Sequence, residues 1–364
     1  MRAFVEVNLN AIANNIKLVK SQTQAQILAV VKADAYGHGL IPVAKCALDA
    51  GATWLGVALL EEAILLREAG IKAPIISWLT PPGSDFKRAV ELDIDLAIPS
   101  LKHLELIVAA GKAVGKKPRV HIEVDTGMTR GGFLGEWSEF LIAAKGAEIE
   151  VIGFWSHFAR ADEPDEIANQ NQMQEFESKL AELIATGITP KYIHLANSAA
   201  ALTNPSSHKN IIRLGIAMYG LSPDVITLGS SLKLELEPAM TLKAEIHLVK
   251  RVPAGYPVGY GGTEKTSTDT KLAIITMGYA DGIPRNTSNA AGVFAAGRTA
   301  AIIGRVSMDQ FVVDLGADSN AVAGETVEVF GALGYSIDDW AAASGTINYE
   351  IVTRIASRVP RIYA

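Results

Sequence analysis

The sequence predicts an α/β protein, an N-terminal (β/α)8 TIM-like barrel followed by a C-terminal mostly-β domain. Three observations carry this. Up to about residue 225, eight short β-rich apolar runs alternate with helical patterns, the rhythm of parallel βαβ units. From about Leu232 strand-like stretches follow one another with Gly and Pro turns between them. The 364 residues are also enough for two domains at roughly 150 residues each. We expect domains at 1–228 and 229–364, with the first strand, 1–8, free to join the second. A doubly wound open sheet is the competing arrangement, because a sequence pattern does not show closure.

Met1–Glu6 reads as the first strand. Barrel strands are expected at Ile27–Lys32, Trp54–Leu59, Ile75–Trp78, Asp95–Ile98, Arg119–Val124, Val151–Trp155, Lys191–Leu195 and Ile211–Arg213. Ser100 is a good N-cap for a helix in which Leu101, Leu104, Ile107 and Val108 recur on one face. In the second part, strands are expected at Leu232–Glu237, Thr241–Val249, Leu272–Thr276, Thr299–Ile303, Phe311–Asp314 and Thr326–Phe330.

Composition narrows the function classes. Thirty-nine acidic against thirty-three basic residues give a net charge of −6, so no electrostatic footprint for nucleic acid or an anionic membrane is expected. The single cysteine, Cys46, excludes an internal disulfide framework and a thiolate metal cluster, and no histidine spacing suggests a metal site. Apolar runs such as Ala290–Gly297 fall far short of the ~20 residues of a membrane span. The N-terminus lacks the apolar stretch of a signal peptide. The expected location is the cytoplasm.

Two features carry chemistry. Lys32 ends the apolar run Ile27-Leu-Ala-Val-Val and precedes Ala-Asp-Ala-Tyr36-Gly-His-Gly39. At the C-terminal end of a barrel strand it points to the face where barrel enzymes keep their sites. Burial there lowers an ammonium pKa, which makes a lysine a Schiff-base former or general base. Taken alone, the same lysine could simply snorkel from a strand end. The second feature spans the seventh and eighth barrel strands. Asn197 or Ser198 can cap a short helix start, whose N–H groups suit an anion, and Gly215 in Arg213-Leu-Gly215-Ile-Ala-Met-Tyr-Gly220 allows close backbone approach. Each alone is an ordinary cap or turn. Together they stand where barrels build phosphate sites, and a phosphate site beside a strand-end lysine suggests pyridoxal phosphate.

These residues belong to a longer series. Ala29–Gly39, Val124-Asp-Thr-Gly-Met-Thr-Arg130, Ser156-His157-Phe158-Ala159, His194–Ser198 and Arg213–Gly220 are followed by Gly259-Tyr260-Gly261, Gly278–Gly282, Ser307-Met308-Asp309 and Asn348-Tyr349-Glu350. In this order, across nearly the whole chain, they resemble the motifs of the alanine racemase family. The resemblance implies a head-to-tail homodimer that binds pyridoxal 5′-phosphate, acts on L-alanine and D-alanine, and completes each site with the partner's C-terminal domain. It implies that Lys32 holds the cofactor as a Schiff base and serves as one base, with Tyr260 of the partner subunit as the other. Tyr36, Ser198, Gly215, Ile216 and Tyr349 would surround the phosphate, with Asn197 nearby. Arg213 would face the pyridine nitrogen and His157 would lie along the ring. Arg130 and the partner's Met308 would address the substrate carboxylate, while Asp309 and Tyr279 would line the entrance or the side-chain pocket.

Several residues have a plainer explanation as well. His157 alone reads as structural, as do His103, His121, His208 and His247, and Arg130 could pair with Glu123 or Asp125. Glu123 is itself a departure: in many members of the family its position holds a carbamylated lysine. A glutamate there is expected to supply the anionic carboxylate near Arg130. Ser307, where some members have cysteine, is expected to matter little. Two alternatives remain: a pyridoxal-phosphate carrier protein, whose barrel relatives lack a second domain, and a racemase or decarboxylase of different substrate range.

Overall fold

The computed structural model describes residues 1–364 and divides them into two compact units. One comprises Ala11–Ala35 and Gly39–Glu237; the other comprises Met1–Asn10, Tyr36–His38 and Pro238–Ala364.

The first unit is the barrel. Its strands are β2 (Gln26–Val30), β3 (Trp54–Val57), β4 (Ile75–Ser77), β5 (Asp95–Ile98), β6 (Arg119–Glu123), β7 (Glu150–Trp155), β8 (Tyr192–His194) and β9 (Ile211–Leu214). All eight expected barrel strands are present, and every ladder is parallel. The order β8-β7-β6-β5-β4-β3-β2-β9 places the first barrel strand beside the last. Across the remaining seam, Arg213 N–H donates to the Ala196 carbonyl at 3.0 Å. The Asn210 side chain accepts from Ile193 N–H and donates to the Lys191 carbonyl. The open-sheet alternative is thereby excluded. Strands such as β3 and β5 are buried at every position, which is why β3 and the Leu96–Ile98 part of β5 read as continuous apolar runs rather than alternations. The helix Leu101–Val114 begins where its cap predicts, with Ser100 Oγ accepting from His103 N–H.

In the second unit β1 (Ala3–Val7) pairs antiparallel with β10 (Met240–Val252) and parallel with Arg361–Tyr363. The long β10 also pairs with Thr270–Ile275 and Thr326–Phe330. One expectation needs correction. Leu232–Glu237 is a run of turns: Ser230 Oγ accepts from Lys233 N–H, Leu234 and Leu236 N–H bond back to Ser230 and Ser231 carbonyls, and Glu235 takes a φ of 58°. The serines satisfy the backbone locally, so the alternating leucines never enter a sheet. The C-terminal part also contains two helices, Ile337–Ala343 and Asn348–Thr353. The first opens with a reciprocal Ser336–Asp339 capping box.

Candidate active site

At the C-terminal end of the barrel strands, β2 delivers Lys32 to a half-buried position. The backbone then turns left-handed: Ala33, Asp34 and Ala35 have φ of 52°, 53° and 53°. Such residues cost ~1–2 kcal/mol each when they are not glycine, so the turn needs holding. Glu62 Oε1 accepts from Ala33 N–H at 2.5 Å, and Asp34 Oδ1 accepts from Leu40 N–H at 2.8 Å. Burial, reinforced by the Arg130 charge and opposed by Glu62, pulls the Lys32 pKa below its ordinary value. The amine is thus biased towards its neutral, nucleophilic form.

Arg213 lies on β9, the neighbour of β2, with Leu28 and Arg213 in register. It is fully enclosed. Its Nη1 donates to the His194 carbonyl (3.0 Å), and its Nη2 donates to the carbonyls of Ser156 (2.8 Å) and Leu195 (3.0 Å). The guanidinium packs 5.0 Å from the centre of the Trp155 ring. Burial, partly offset by Glu123, lowers its pKa to about 9, so it remains cationic at neutral pH. Its fixed N–H groups also point at His157 Nδ1 and His194 Nδ1, each at 3.2 Å. Both imidazoles are therefore acceptors on that side and neutral. Burial first, then Arg213 and the other cations, pushes the His157 pKa down.

Glu123 ends β6. Burial raises its carboxyl to about 7 against the pull of Arg130 and Arg213. At neutral pH it is therefore only partly ionised, not the fixed anion expected from its residue type. Neither it nor Asp125 forms an ion pair with Arg130. Asp125 Oδ1 instead accepts from the N–H groups of Gly127, Met128 and Thr129 at 2.9, 3.1 and 3.1 Å, shaping the loop that carries the exposed Arg130. At the ends of β8 and β9, Asn197 caps the helix Ser198–Thr203 through Ala200 N–H. Buried Ser198 Oγ accepts from Gly215 N–H at 2.8 Å and Ala217 N–H at 3.4 Å. Ile216, just beyond, is buried.

In the other unit, the rings of Tyr36 and Tyr349 stand 6.2 Å apart. Gly37 makes this approach possible: its φ is 78°, and an added Cβ would sit 2.2 Å from the Val352 carbonyl oxygen. Two turns are also clamped together, with Tyr279 N–H donating to the Ser307 carbonyl and Ala280 N–H to the Met308 carbonyl. Beneath them the buried Asp281 Oδ1 accepts from Arg2 (2.6 Å) and Arg358 (2.7 Å), and Arg358 also donates to Asp309 at 2.6 Å. Tyr260 stands on a separate turn, Tyr260–Gly262, and is 70% exposed; Met308 is 54% exposed.

The structure thus gathers Lys32, Glu123, Arg130, His157 and Arg213 into one electrostatic cluster, joins Asn197, Ser198 and Gly215 at adjacent strand ends, and clusters Tyr279, Met308 and Asp309. Sequence reasoning missed Glu62, His194, Trp155, Asp281 and Arg358. Only His194 and Asp281 carried a signal, as members of motifs already singled out.

The chain matches the family models for the alanine racemase N-terminal domain over residues 7–223 and the alanine racemase C-terminal domain over 239–363. It is 46% identical to an alanine racemase of Salinispora tropica, covering 100% of this chain and 98% of the relative. It is 44% identical to that of Thermobifida fusca, covering 100% and 99%. Among solved structures, the alanine racemase of Streptomyces lavendulae superposes with a TM-score of 0.98 at 43% identity, covering 100% of this chain and 97% of that one. The alanine racemase of Bacillus anthracis with bound L-Ala-P gives 0.91 at 39% identity, covering 100% and 95%.

Proposed function

Because the chain belongs to the alanine racemase family, we propose that it interconverts L-alanine and D-alanine with pyridoxal 5′-phosphate through two bases on opposite faces of the substrate. The observation that carries this reading is the placement of an amine biased towards its neutral form just beyond β2 and of an enclosed guanidinium on the neighbouring strand β9.

The donor set fits the cofactor. Lys32 Nζ offers the nucleophile an aldehyde needs, and Asn197, Ser198, Gly215 and Ile216 offer short polar and backbone groups for a phosphate. Tyr36 and Tyr349 are the proposed phosphate hydroxyls of the other unit. Arg213 is the proposed neighbour of the pyridine nitrogen, where its charge disfavours a second positive charge. His157, neutral and held by Arg213 through Nδ1, directs its Nε2 N–H away from the guanidinium, along the proposed ring position. When bound, the cofactor spreads the charge left on Cα as the proton departs.

The chain's own groups do the proton work. Lys32 Nζ takes the α-proton of D-alanine from one face. Tyr260 Oη of the partner subunit takes that of L-alanine from the other, and each returns a proton in the reverse direction. Arg130 and the partner's Met308 N–H bind the substrate carboxylate, and Tyr279 with Asp309 narrows the entrance to a small side chain. The high exposure of Tyr260 and Met308 supports a head-to-tail homodimer in which a second chain covers them.

Tyr260→Phe tests the division of labour. General-base loss costs on the order of 10²–10⁴-fold in rate, and racemisation should fall equally in both directions. In deuterated water the variant should still exchange the α-proton of D-alanine but hardly that of L-alanine. Mixed with Lys32→Ala chains it should regain activity, because one site of each mixed dimer is intact. Equal loss of exchange from both enantiomers would sink the two-base assignment, and no recovery despite subunit exchange would sink the shared site.

A further inference from the structure

The barrel core contains a polar line that the proposed reaction does not use. His194 Nε2 meets His121 Nδ1 at 2.9 Å, and His121 Nε2 meets Asp95 Oδ2 at 3.2 Å. Asp95 in turn accepts from Arg119 through both oxygens, at 2.7 and 3.1 Å. His194, His121 and Asp95 are all 0% exposed. Donor chemistry sets the polarity along the line. Arg213 can only donate, so His194 presents a bare Nδ1 and carries its proton on Nε2. That proton faces a bare His121 Nδ1, leaving the His121 proton on Nε2 to face the Asp95 carboxylate. Three hydrogen bonds thus run in one direction from Arg213 through His194 and His121 to Asp95, and Arg119 donates to the same carboxylate from the other side.

The fold makes room for this line at a cost. Barrel interiors are ordinarily filled by layers of branched aliphatic side chains, which would occupy the space without polar desolvation. Here β7 carries Gly153, where a Cβ would sit 2.0 Å from His121 Nδ1, and the β6–β7 register shifts between Val120 and His121. The rings are fixed by aromatic neighbours as well: Trp155 stacks on His194 at an interplanar angle of 1°, and Trp54 meets His121 edge-on at 5.4 Å.

We propose that His121 and Asp95 are positioning residues for the reaction, acting through His194 to hold the Arg213 guanidinium in one place and one hydrogen-bonding sense. The carboxylate of Asp95 anchors the His121 proton, which fixes the His194 proton on the nitrogen remote from Arg213. Without that anchor His194 could protonate Nδ1 instead, presenting a donor to a donor, and Arg213 would have to move. The inference rests on the proposed function for its bearing on catalysis, but its physical content stands in the protein before any cofactor is added.

The test uses the full-length protein, first without cofactor. Nitrogen-15 spectra should show His194 with a bare Nδ1 and a protonated Nε2, and the Arg213 side-chain N–H should exchange slowly. In His121→Phe the His194 tautomer should become mixed and Arg213 exchange should quicken about tenfold, the effect of losing one buried hydrogen bond. His121→Gln, which restores one donor and one acceptor, should recover most of both signals. Asp95→Asn keeps both rings and covers the case in which the phenylalanine variant fails to fold; it should mix the tautomers of His121. Pyridoxal phosphate affinity and kcat for alanine should fall in the order of the spectral changes, with KM moved less. Unaltered His194 and Arg213 signals in the folded variants would overturn the relay even if wild type racemises alanine. Altered signals in a protein that does not racemise alanine would uphold the relay and overturn only the reaction.

Discussion

Replacing Glu123 by glutamine keeps the shape of a buried side chain and removes its charge, so it measures directly what burial does to this carboxyl. Burial raises its pKa from an ordinary 4.5 to about 7 despite Arg130 and Arg213. Each tenfold change in proton affinity is worth about 1.4 kcal/mol, so ionising Glu123 costs the folded state about 3 kcal/mol relative to the unfolded chain. The sign follows from which state holds the proton more tightly. Below pH 4.5 both states are protonated and the carboxyl costs nothing. As pH rises towards 7 the unfolded chain loses its proton first, and folding stability declines; above 7 the full cost is present. Glu123→Gln should therefore match wild type in urea unfolding near pH 4.5 and exceed it by about 3 kcal/mol near pH 8.5. An equal difference at both values would refute the argument, because it would show a packing effect rather than a titration.

Three further outcomes are expected. Ser198→Ala removes the acceptor of the buried Gly215 N–H and should cost about 1–3 kcal/mol in thermal or urea unfolding; inorganic phosphate should recover part of this if the N–H faces the proposed anion site. Gly153→Ala places a Cβ 2.0 Å from His121 Nδ1 and should destabilise by about 1–3 kcal/mol through overpacking, and adding His121→Ala should relieve most of it in a double-mutant cycle. Asp281→Ala leaves Arg2 and Arg358 facing each other without their shared carboxylate; unfolding should come several degrees lower, and KM for alanine should rise more than kcat falls as Asp309 and Tyr279 loosen.

The barrel was legible in the chain because parallel strands buried on both faces are predominantly apolar, and Ile27–Val31 or Leu96–Ile98 can be little else. Ser100 and Asn197 announced their helices by local hydrogen bonding, and Lys32 stood out because an ammonium group closing such a strand is expensive unless it is used. The leucines at 232, 234 and 236 misled for a related reason: alternation shows which faces could be buried, while the serines before them had already satisfied the backbone. What tertiary structure alone decided concerns groups whose partners are distant in sequence. His121 looked like an ordinary core histidine until barrel closure set it between His194 and Asp95, 73 and 26 residues away. Glu123 looked like a fixed anion until burial was known. Residue type determines which protons and charges a side chain can carry; the state it adopts depends on the water removed from it and the donors brought to it, and both are set only when the whole chain is folded.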